Sequence, residues 1–163
     1  MLYKEKNFEI EDLYKVLEYS NQIQEVDYVR NNPVEIEIYL SKPGFRTLMY
    51  GDDIVCIFGC PYGGYRTYVP TMIPGKCMKH HLRRVIKFLY RYFITNVPPD
   101  VQRLEAAVDA EDKVALRFAK YFGFGIIGIR HNSCPNGHDQ AILERLCCKT
   151  TKEGLVYDDR FIW

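Results

Sequence analysis

Acidic residues are absent from residues 54–99, a stretch of 46 positions without a single Asp or Glu. At the average frequency of 21 acids in 163 residues, about six would be expected there. The same stretch contains seven basic side chains, which are Arg66, Lys76, Lys79, Arg83, Arg84, Lys87 and Arg91. A solvated helix face normally mixes both signs of charge. The one-sided charge therefore predicts a site that attracts anions, although the formal net charge of the chain is only +1.

A long apolar run and a secretory leader are also missing. No apolar stretch approaches the roughly 20 residues that a membrane-spanning helix needs. The first six residues, Met1 to Lys6, are charged and lack the apolar centre of a signal peptide. The six cysteines are therefore expected to be reduced and mostly buried, as in cytoplasmic proteins. The sequence predicts a cytoplasmic protein with no membrane association.

Length and composition predict a single domain that covers residues 1–163. Apolar periodicity predicts a helix over residues 11–20 and a hairpin of residues 46–50 and 54–59 around Gly51-Asp52-Asp53. A short strand is predicted over residues 65–69. The longest helix is predicted from about residue 75 to residue 94, with basic side chains along one face.

Residues 32–40 carry two conflicting signals. Val34, Ile36, Ile38 and Leu40 alternate with polar residues, which is typical of a strand. Asn32-Pro33 instead resembles the start of a helix, with an N-cap followed by proline at the first helical position. The sequence leaves this element open.

The second half of the chain alternates strands and helices. A strand is predicted over residues 103–108, followed by a helix that begins near Asp109 and ends at Gly123. Residues 124–129 and 140–148 are predicted strands around a loop rich in Gly, Pro and Asn. The pattern as a whole predicts a mixed α/β fold.

Two stretches resemble the Gcn5-related N-acetyltransferase (GNAT) superfamily. The first is Tyr68-Val69-Pro70 followed by Pro74-Gly75-Lys76-Cys77-Met78 and the long helix. The second is the strand of residues 104–109 followed by residues 115–124, which end in Gly-Phe. They cover roughly residues 54–130, and the sequence is also similar to a divergent branch encoded by bacteriophages. The resemblance implies a central, mostly antiparallel twisted sheet of six to seven strands flanked by about four helices.

The same resemblance implies acetyl-coenzyme A as cofactor. In that fold the pyrophosphate binds to N–H groups at a helix start, where the helix dipole favours negative charge. Lys76 and Lys79 are the first cations available for the 3′-phosphate. The cofactor-binding residues implied in this way are Tyr68, Val69, Ile73, Gly75, Lys76, Cys77, Met78, Lys79, Asp112 and Phe118.

Three residues are candidates for proton transfer in catalysis. The family's usual tyrosine acid, four residues before the helix-ending glycine, is replaced by Ala119, so Tyr65 and Tyr68 are the alternatives. Both tyrosines have packing in the sheet as their simpler interpretation. Asp109, at a strand end, is the candidate base, and its simpler role is the N-cap of the following helix.

Other reactive side chains carry weaker signals. Cys77 lies among cations at a helix start, but no His/Asn partners for a thiol enzyme are identifiable. His80 and His81 are expected to be solvated. His131, Cys134 and His138 resemble part of a zinc site, but without a Cys-x-x-Cys pair a polar loop without metal is favoured.

The favoured function is therefore acetyl transfer from acetyl-coenzyme A to an amine, with a protein as one candidate acceptor. The alternative is a catalytically degenerate protein of the same fold, phage-encoded and acting in regulation, assembly or partner binding. Pro74 and Cys77 in the pyrophosphate loop, together with Ala119, favour that alternative. A homodimer is compatible with both functions, and the balanced charge of the flanking segments argues against a nucleic-acid partner.

Overall fold

The computed structural model of the chain describes residues 3–18, 31–96, 101–151 and 154–157. Within these residues it has four helices and eleven strands in a mixed α/β arrangement. The elements in chain order are β1 (Tyr3–Asn7), α1 (Ile10–Glu18), α2 (Pro33–Leu40), β2 (Arg46–Tyr50), β3 (Asp53–Gly59), β4 (Tyr62–Gly64), β5 (Thr67–Tyr68), β6 (Thr71–Pro74), α3 (Met78–Asn96), β7 (Arg103–Asp109), α4 (Lys113–Tyr121), β8 (Gly125–Arg130), β9 (Gln140–Leu146), β10 (Cys148–Thr151) and β11 (Gly154–Tyr157).

The chain divides into two compact units. The described residues of Met1–Pro61 and Pro70–Asn96 form the first, and those of Tyr62–Val69 and Val97–Trp163 form the second. In the first unit, four antiparallel strands pair in the order β1-β2-β3-β6. No helix in the described residues is long and apolar enough to cross a bilayer.

The second unit contains a five-stranded sheet in the order β4-β5-β7-β9-β8, and the separate hairpin β10-β11. Among the strands that the structure describes, only β5 and β7 pair in parallel, through Thr67 with Arg103 and Tyr68 with Leu104. After Tyr68 the chain leaves β7, passes Pro70 and pairs with β3 from Thr71 onward. Proline has no N–H for a ladder, so it interrupts strand pairing here.

The predicted mixed α/β fold is confirmed, and the arrangement of its strands is more divided than expected. The resemblance implies one central sheet of six to seven strands, whereas the described residues form sheets of four and five strands and a two-stranded hairpin. The interruption at Val69-Pro70 assigns β5 and β6 to different sheets. Apolar periodicity locates strands but carries no information on which strands pair.

The core of the first unit lies between α1, α2 and the sheet. It consists of the buried side chains Leu13, Val16, Leu17, Leu40, Phe45 and Ile57. Burial of such side chains contributes roughly 1.5–3 kcal/mol each. This core holds α1 against β3.

The open element at residues 33–40 is a helix. Asn32 is its N-cap and Pro33 occupies its first turn. In a helix of 3.6 residues per turn, Val34 and Ile38 share one side while Ile36 and Leu40 share the other. Leu40 is buried in the core and partly buried Ile36 packs against it, whereas Val34 and Ile38 are exposed. The alternation of apolar and polar residues that is typical of a strand therefore arises here from apolar residues on two sides of a helix.

The predicted strand at residues 65–69 is wrong in its first half. Tyr65 and Arg66 have φ angles of 32° and 57° and form the turn between β4 and β5. The strand itself contains only Thr67 and Tyr68. The predicted hairpin of β2 and β3 is confirmed, and Gly51 adopts a left-handed φ of 63° at its turn.

Candidate functional site

The loop before α3 is held tightly against β3 in the first unit. The Gly75 N–H donates to the Val55 carbonyl at 2.8 Å, and Met78 N–H donates to the Gly75 carbonyl at 3.1 Å. A Cβ atom at Gly75 would lie 2.1 Å from the Ile54 carbonyl oxygen, so only glycine fits this position. Because of this turn, α3 begins at Met78 and not at the predicted residue 75.

The start of α3 combines a helix dipole with one-sided charge. Lys76, two residues before the helix, and Lys79, in its first turn, are exposed, and the helix contains no acidic residue. Ile73, in contrast, is half-buried in β6 and pairs with Ile57. The exposed cations and the positive end of the dipole together favour an anionic group at this turn.

Cys77 is a neutral thiol in this loop. Its Sγ donates to the Ile54 carbonyl oxygen at 3.3 Å. Burial, and to a smaller extent the negative charge of Asp53, raise its pKa above the ordinary value. A raised pKa opposes thiolate formation, so the geometry gives no support to a nucleophilic role.

His80 and His81 differ in their surroundings. His80 is exposed, as predicted. His81 was expected to be solvated, and this expectation is wrong. Its Nδ1 lies 2.6 Å from the Tyr3 hydroxyl oxygen, and its ring centroid lies 4.5 Å from that of Tyr50. His81 therefore packs α3 against the edge of the first sheet.

Asp109 is the last residue of β7 in the second unit, and its carboxylate is fully engaged. Oδ1 accepts from the Glu111 N–H at 2.8 Å, and Oδ2 accepts from Asn136 Nδ2 at 2.8 Å and His138 Nδ1 at 2.9 Å. Partial burial raises its pKa, but these hydrogen bonds together outweigh that effect and lower the pKa below the ordinary value. The group is therefore an ionised acceptor that already has partners on both oxygens.

The N-cap of α4 is Asp112, so the interpretation of Asp109 as the cap is wrong. The Asp112 Oδ1 accepts from the N–H groups of Val114 and Ala115 at 3.0 and 2.9 Å. Asp109 stays in β7 because it pairs with Gln140. The helix begins only after the turn that follows, whereas its predicted end at Gly123, with φ 81°, is confirmed.

His138 is the partner of Asp109 that sequence reasoning missed. Its Nε2 lies 3.5 Å from Glu111 Oε2, on the side of the ring opposite the Asp109 contact. The hydrogen bond to Asp109 is the main cause of a raised pKa, and Asp109, Glu111 and Asp139 add electrostatic attraction. One signal in the sequence could have indicated this partner. The loop of residues 131–139 directly precedes β9, and Gln140, the first residue of β9, pairs with Asp109.

The three residues of the suspected zinc motif have separate partners. His131 Nδ1 donates to Asp139 at 2.9 Å, His138 bonds Asp109, and Cys134 Sγ donates to the Asp139 carbonyl at 3.5 Å. Across the described parts of the chain, no group of three or more His, Cys, Asp or Glu side chains is placed to hold a metal ion.

The candidate tyrosines and Asp109 lie at opposite ends of β7. Tyr68 pairs with Leu104, five residues before Asp109, which corresponds to about 17 Å along a strand. Tyr68 is half-buried against Tyr62, with ring centroids 5.4 Å apart. Tyr65 is 87% exposed at the β4-β5 turn. The structure therefore does not bring the predicted acid and base together.

The remaining predicted cofactor residues fall in both units. Ile73, Gly75, Lys76, Cys77, Met78 and Lys79 belong to the first unit, while Tyr68, Val69, Asp112 and Phe118 belong to the second. Phe118 is half-buried on α4, with its ring centroid 4.9 Å from that of Phe122. Ala119, at the position of the usual acid, is buried.

Comparisons with known proteins give matches among solved structures. No protein-family model and no curated sequence matches the chain. The Escherichia coli ribosomal-protein-S18-alanine N-acetyltransferase aligns with 96% of this chain and 100% of its own, at 11% identity and a TM-score of 0.63. A Bacillus subtilis acetyltransferase in complex with CoA aligns with 87% of this chain and 95% of its own, at 13% identity and a TM-score of 0.64. A chimera of the Vibrio cholerae spermidine N-acetyltransferase SpeG and hSSAT aligns with 88% of this chain and 95% of its own, at 13% identity and a TM-score of 0.61.

Proposed function

We propose, from the premise that the chain has the fold of the Gcn5-related N-acetyltransferases, that it transfers an acetyl group from acetyl-coenzyme A to an amine. The similarity to solved acetyltransferases extends over 87–96% of the chain in the three comparisons above. The observation that carries the proposal is the start of α3, where exposed cations follow a glycine turn packed on β3. One similar structure contains CoA, a ligand whose phosphates suit such a helix start.

The proposed cofactor site begins at the first turn of α3. The Gly75 N–H already donates to Val55, so Gly75 contributes close packing and not a hydrogen bond to phosphate. Lys76 and Lys79 supply charge for the pyrophosphate and the 3′-phosphate. Tyr68, Val69, Asp112 and Phe118 remain proposals from the resemblance, and the Asp112 carboxylate is already used in capping α4.

Acetyl transfer makes three chemical demands. The amine must lose a proton, the thioester carbonyl must be polarised, and the departing thiolate must gain a proton. Half-buried Tyr68 is the better of the two tyrosine candidates for the acid, because Tyr65 is almost fully exposed at a turn. Asp109 is a weak base, because its pKa is lowered and its carboxylate already accepts from three donors.

Binding of acetyl-coenzyme A tests the cofactor site. We expect a dissociation constant in the micromolar range by calorimetry, and we expect Lys76→Glu to weaken it about tenfold or more, which corresponds to about 1.4 kcal/mol. Lys87→Glu is the matched control, because it makes the same charge change on α3, about 14 Å along the helix from its first residue, Met78. Equal weakening of cofactor binding by both variants would indicate a nonspecific electrostatic attraction between the basic helix and the cofactor. No heat and no thermal shift at millimolar cofactor would refute the proposal.

The acceptor is then tested with two amine probes. Spermidine and a peptide with an N-terminal alanine are suitable, because similar structures are named for acetylation of spermidine and of a ribosomal-protein alanine. Cofactor binding without turnover of either probe would favour the degenerate, partner-binding alternative. The bacteriophage origin, the cytoplasmic location, the single domain and the homodimer remain predictions.

A further inference from the structure

The imidazole of His138 is fixed in position by the loop that carries it. Its backbone N–H donates to Asn136 Oδ1 at 2.9 Å, and its carbonyl accepts from the Cys134 N–H at 3.1 Å. The loop is joined to the end of β7 by the Ala110 N–H, which donates to the Asp139 carbonyl at 2.9 Å. These bonds hold the His138 backbone, and the Asn136 Nδ2 atom of the same loop lies 2.9 Å from Nδ1 of the ring.

The orientation of the ring leaves one nitrogen available for proton transfer. Nδ1 lies 2.9 Å from Asp109 Oδ2 and 2.9 Å from Asn136 Nδ2. Because the ionised carboxylate is the stronger hydrogen-bond partner, the ring proton is assigned to Nδ1. In the neutral ring the lone pair is then on Nε2, which points toward exposed Glu111. The His138 side chain is 37% exposed and the Glu111 side chain is 71% exposed, so this side of the pair faces solvent. A base oriented by a buried or bonded carboxylate is a recurrent catalytic arrangement.

We propose that His138 is the proton acceptor of the transfer reaction, with Asp109 as its positioning residue. The inference rests on the proposed acetyl transfer and replaces Asp109 as the base. His138, in the loop between β8 and β9, contacts Asp109 and Glu111 at the connection between β7 and α4. The resemblance assigns Asp112, in the same connection, to the cofactor. The charged groups that act on the ring are Asp109, Glu111 and Asp139, all of them acidic.

The acceptor is inferred to be a cationic amine. Its ammonium group is attracted by Glu111, and Nε2 of His138 takes one proton from it, which gives an imidazolium and a neutral amine. The amine nitrogen forms a bond to the thioester carbonyl carbon, and the carbon–sulfur bond breaks with its electron pair on sulfur. The proton that the nitrogen loses in this collapse ends on the sulfur, and the imidazolium returns its proton to solvent.

A purely structural role for the pair predicts different behaviour. If His138 only closed the loop onto β7, its loss would lower stability and affect activity equally at every pH. A proton acceptor must be neutral to act, so kcat/KM must rise with pH as the imidazolium loses its proton. Because Asp109 raises the pKa of His138, the midpoint should lie above the ordinary 6.5.

The test measures kcat/KM for spermidine against pH in four proteins. These are the wild type, His138→Gln, Asp109→Asn and the control His131→Gln, whose histidine lies on the same loop and bonds Asp139. We expect the wild type to show a rising limb above pH 6.5. His138→Gln should lose that limb with a fall in kcat of about 100-fold or more. Asp109→Asn should move the limb to lower pH, and His131→Gln should leave it unchanged.

Two further measurements separate the possible failures. Calorimetry with acetyl-coenzyme A shows whether each variant still folds and binds, and NMR titration of the His138 ring gives its pKa without any turnover. A ring pKa equal to the kinetic midpoint, lowered in Asp109→Asn, supports the inference even if His138→Gln does not fold. An active His138→Gln with an unchanged limb overturns the inference alone. A wild type that turns over neither spermidine nor the alanine peptide overturns the proposed function and the inference with it.

Discussion

Asp12 is a buried carboxylate that ties α1 to the strands of the first sheet. It is only 1% exposed, and it accepts from the Thr47 hydroxyl at 2.8 Å on one oxygen and from Lys6 Nζ at 2.9 Å on the other. No buried side-chain polar atom in the described residues lacks a hydrogen-bond partner. A buried polar group of this kind adds little net energy while satisfied and costs much when a partner is lost.

Asp12→Asn should lower the free energy of unfolding by about 2 kcal/mol. If the amide oxygen faces Lys6, the buried Thr47 hydroxyl loses its acceptor, and if it faces Thr47, the amide NH2 group is placed against the Lys6 ammonium. Urea denaturation measures the change. Glu9→Gln is the control, because Glu9 bonds the same lysine at 2.8 Å but is 64% exposed, and exposed pairs contribute about 0–1 kcal/mol. Equal losses in the two variants would show that burial of Asp12 has no energetic consequence.

Tyr65 and Arg66 are strained residues at the β4-β5 turn. Both have left-handed φ angles, which cost an L-residue roughly 1–2 kcal/mol. The Arg66 carbonyl accepts from the N–H groups of Gln102 and Arg103 at 3.0 and 3.4 Å, which holds the turn against the start of β7. Hairpin turns with two such residues normally contain Asn-Gly.

The double variant Tyr65→Asn/Arg66→Gly should therefore raise the melting temperature. Asn and Gly adopt the same left-handed backbone angles with less strain. The hydrogen bonds that residue 66 accepts are kept, because its backbone carbonyl is unchanged by the substitution. We expect a gain of about 1 kcal/mol, measured by thermal denaturation. Gly64→Ala should lower the melting temperature, because Gly64 has a φ of 106° that strains any residue with a side chain. An added Cβ there meets nothing within 4 Å, so the loss would come from backbone strain alone. A lower melting temperature in the double variant would mean that the native side chains stabilise the turn.

At the scale of elements, the β3-α3 contact depends on one glycine. Gly75 joins β6 to the first turn of α3, and its missing side chain lets β3 approach within contact distance. The basic face of α3 is positioned by this contact, since the helix begins three residues later. The exposed cations at the start of α3, Lys76 and Lys79, are therefore positioned by close backbone packing at Gly75.

Gly75→Ala should destabilise the first unit and weaken acetyl-coenzyme A binding together. The added Cβ would meet the Ile54 oxygen at 2.1 Å, and because that atom is backbone, the loop itself must move. Overpacking of this kind costs about 1–3 kcal/mol. Gly125→Ala is the control, because a Cβ there meets nothing within 4 Å. Chemical denaturation measures the change in stability, and calorimetry measures the change in cofactor affinity. Full cofactor affinity in a destabilised Gly75→Ala would show that the loop is not part of the binding site.

At the scale of the whole molecule, local signals predicted local elements. The β2-β3 hairpin, the long basic helix and the glycine at the end of α4 were all predictable, because each depends on residues within a few positions. Alternation at residues 33–40 was ambiguous because apolar residues on both sides of a helix repeat with the same period as a strand. The start of α3 was misplaced by three residues because Gly75 is bound to β3, a contact invisible to periodicity.

The sequence by itself determined the order of elements, the one-sided charge of α3 and the resemblance that led to the acetyltransferase fold. These properties follow from composition and from spacing along the chain. Only the tertiary structure decided that β5 and β6 pair in different sheets and that Asp109 bonds His138, 29 residues away. Strand register makes such pairs neighbours, and register depends on contacts between distant segments. The candidate base therefore changed from a strand-end carboxylate to the imidazole that it orients.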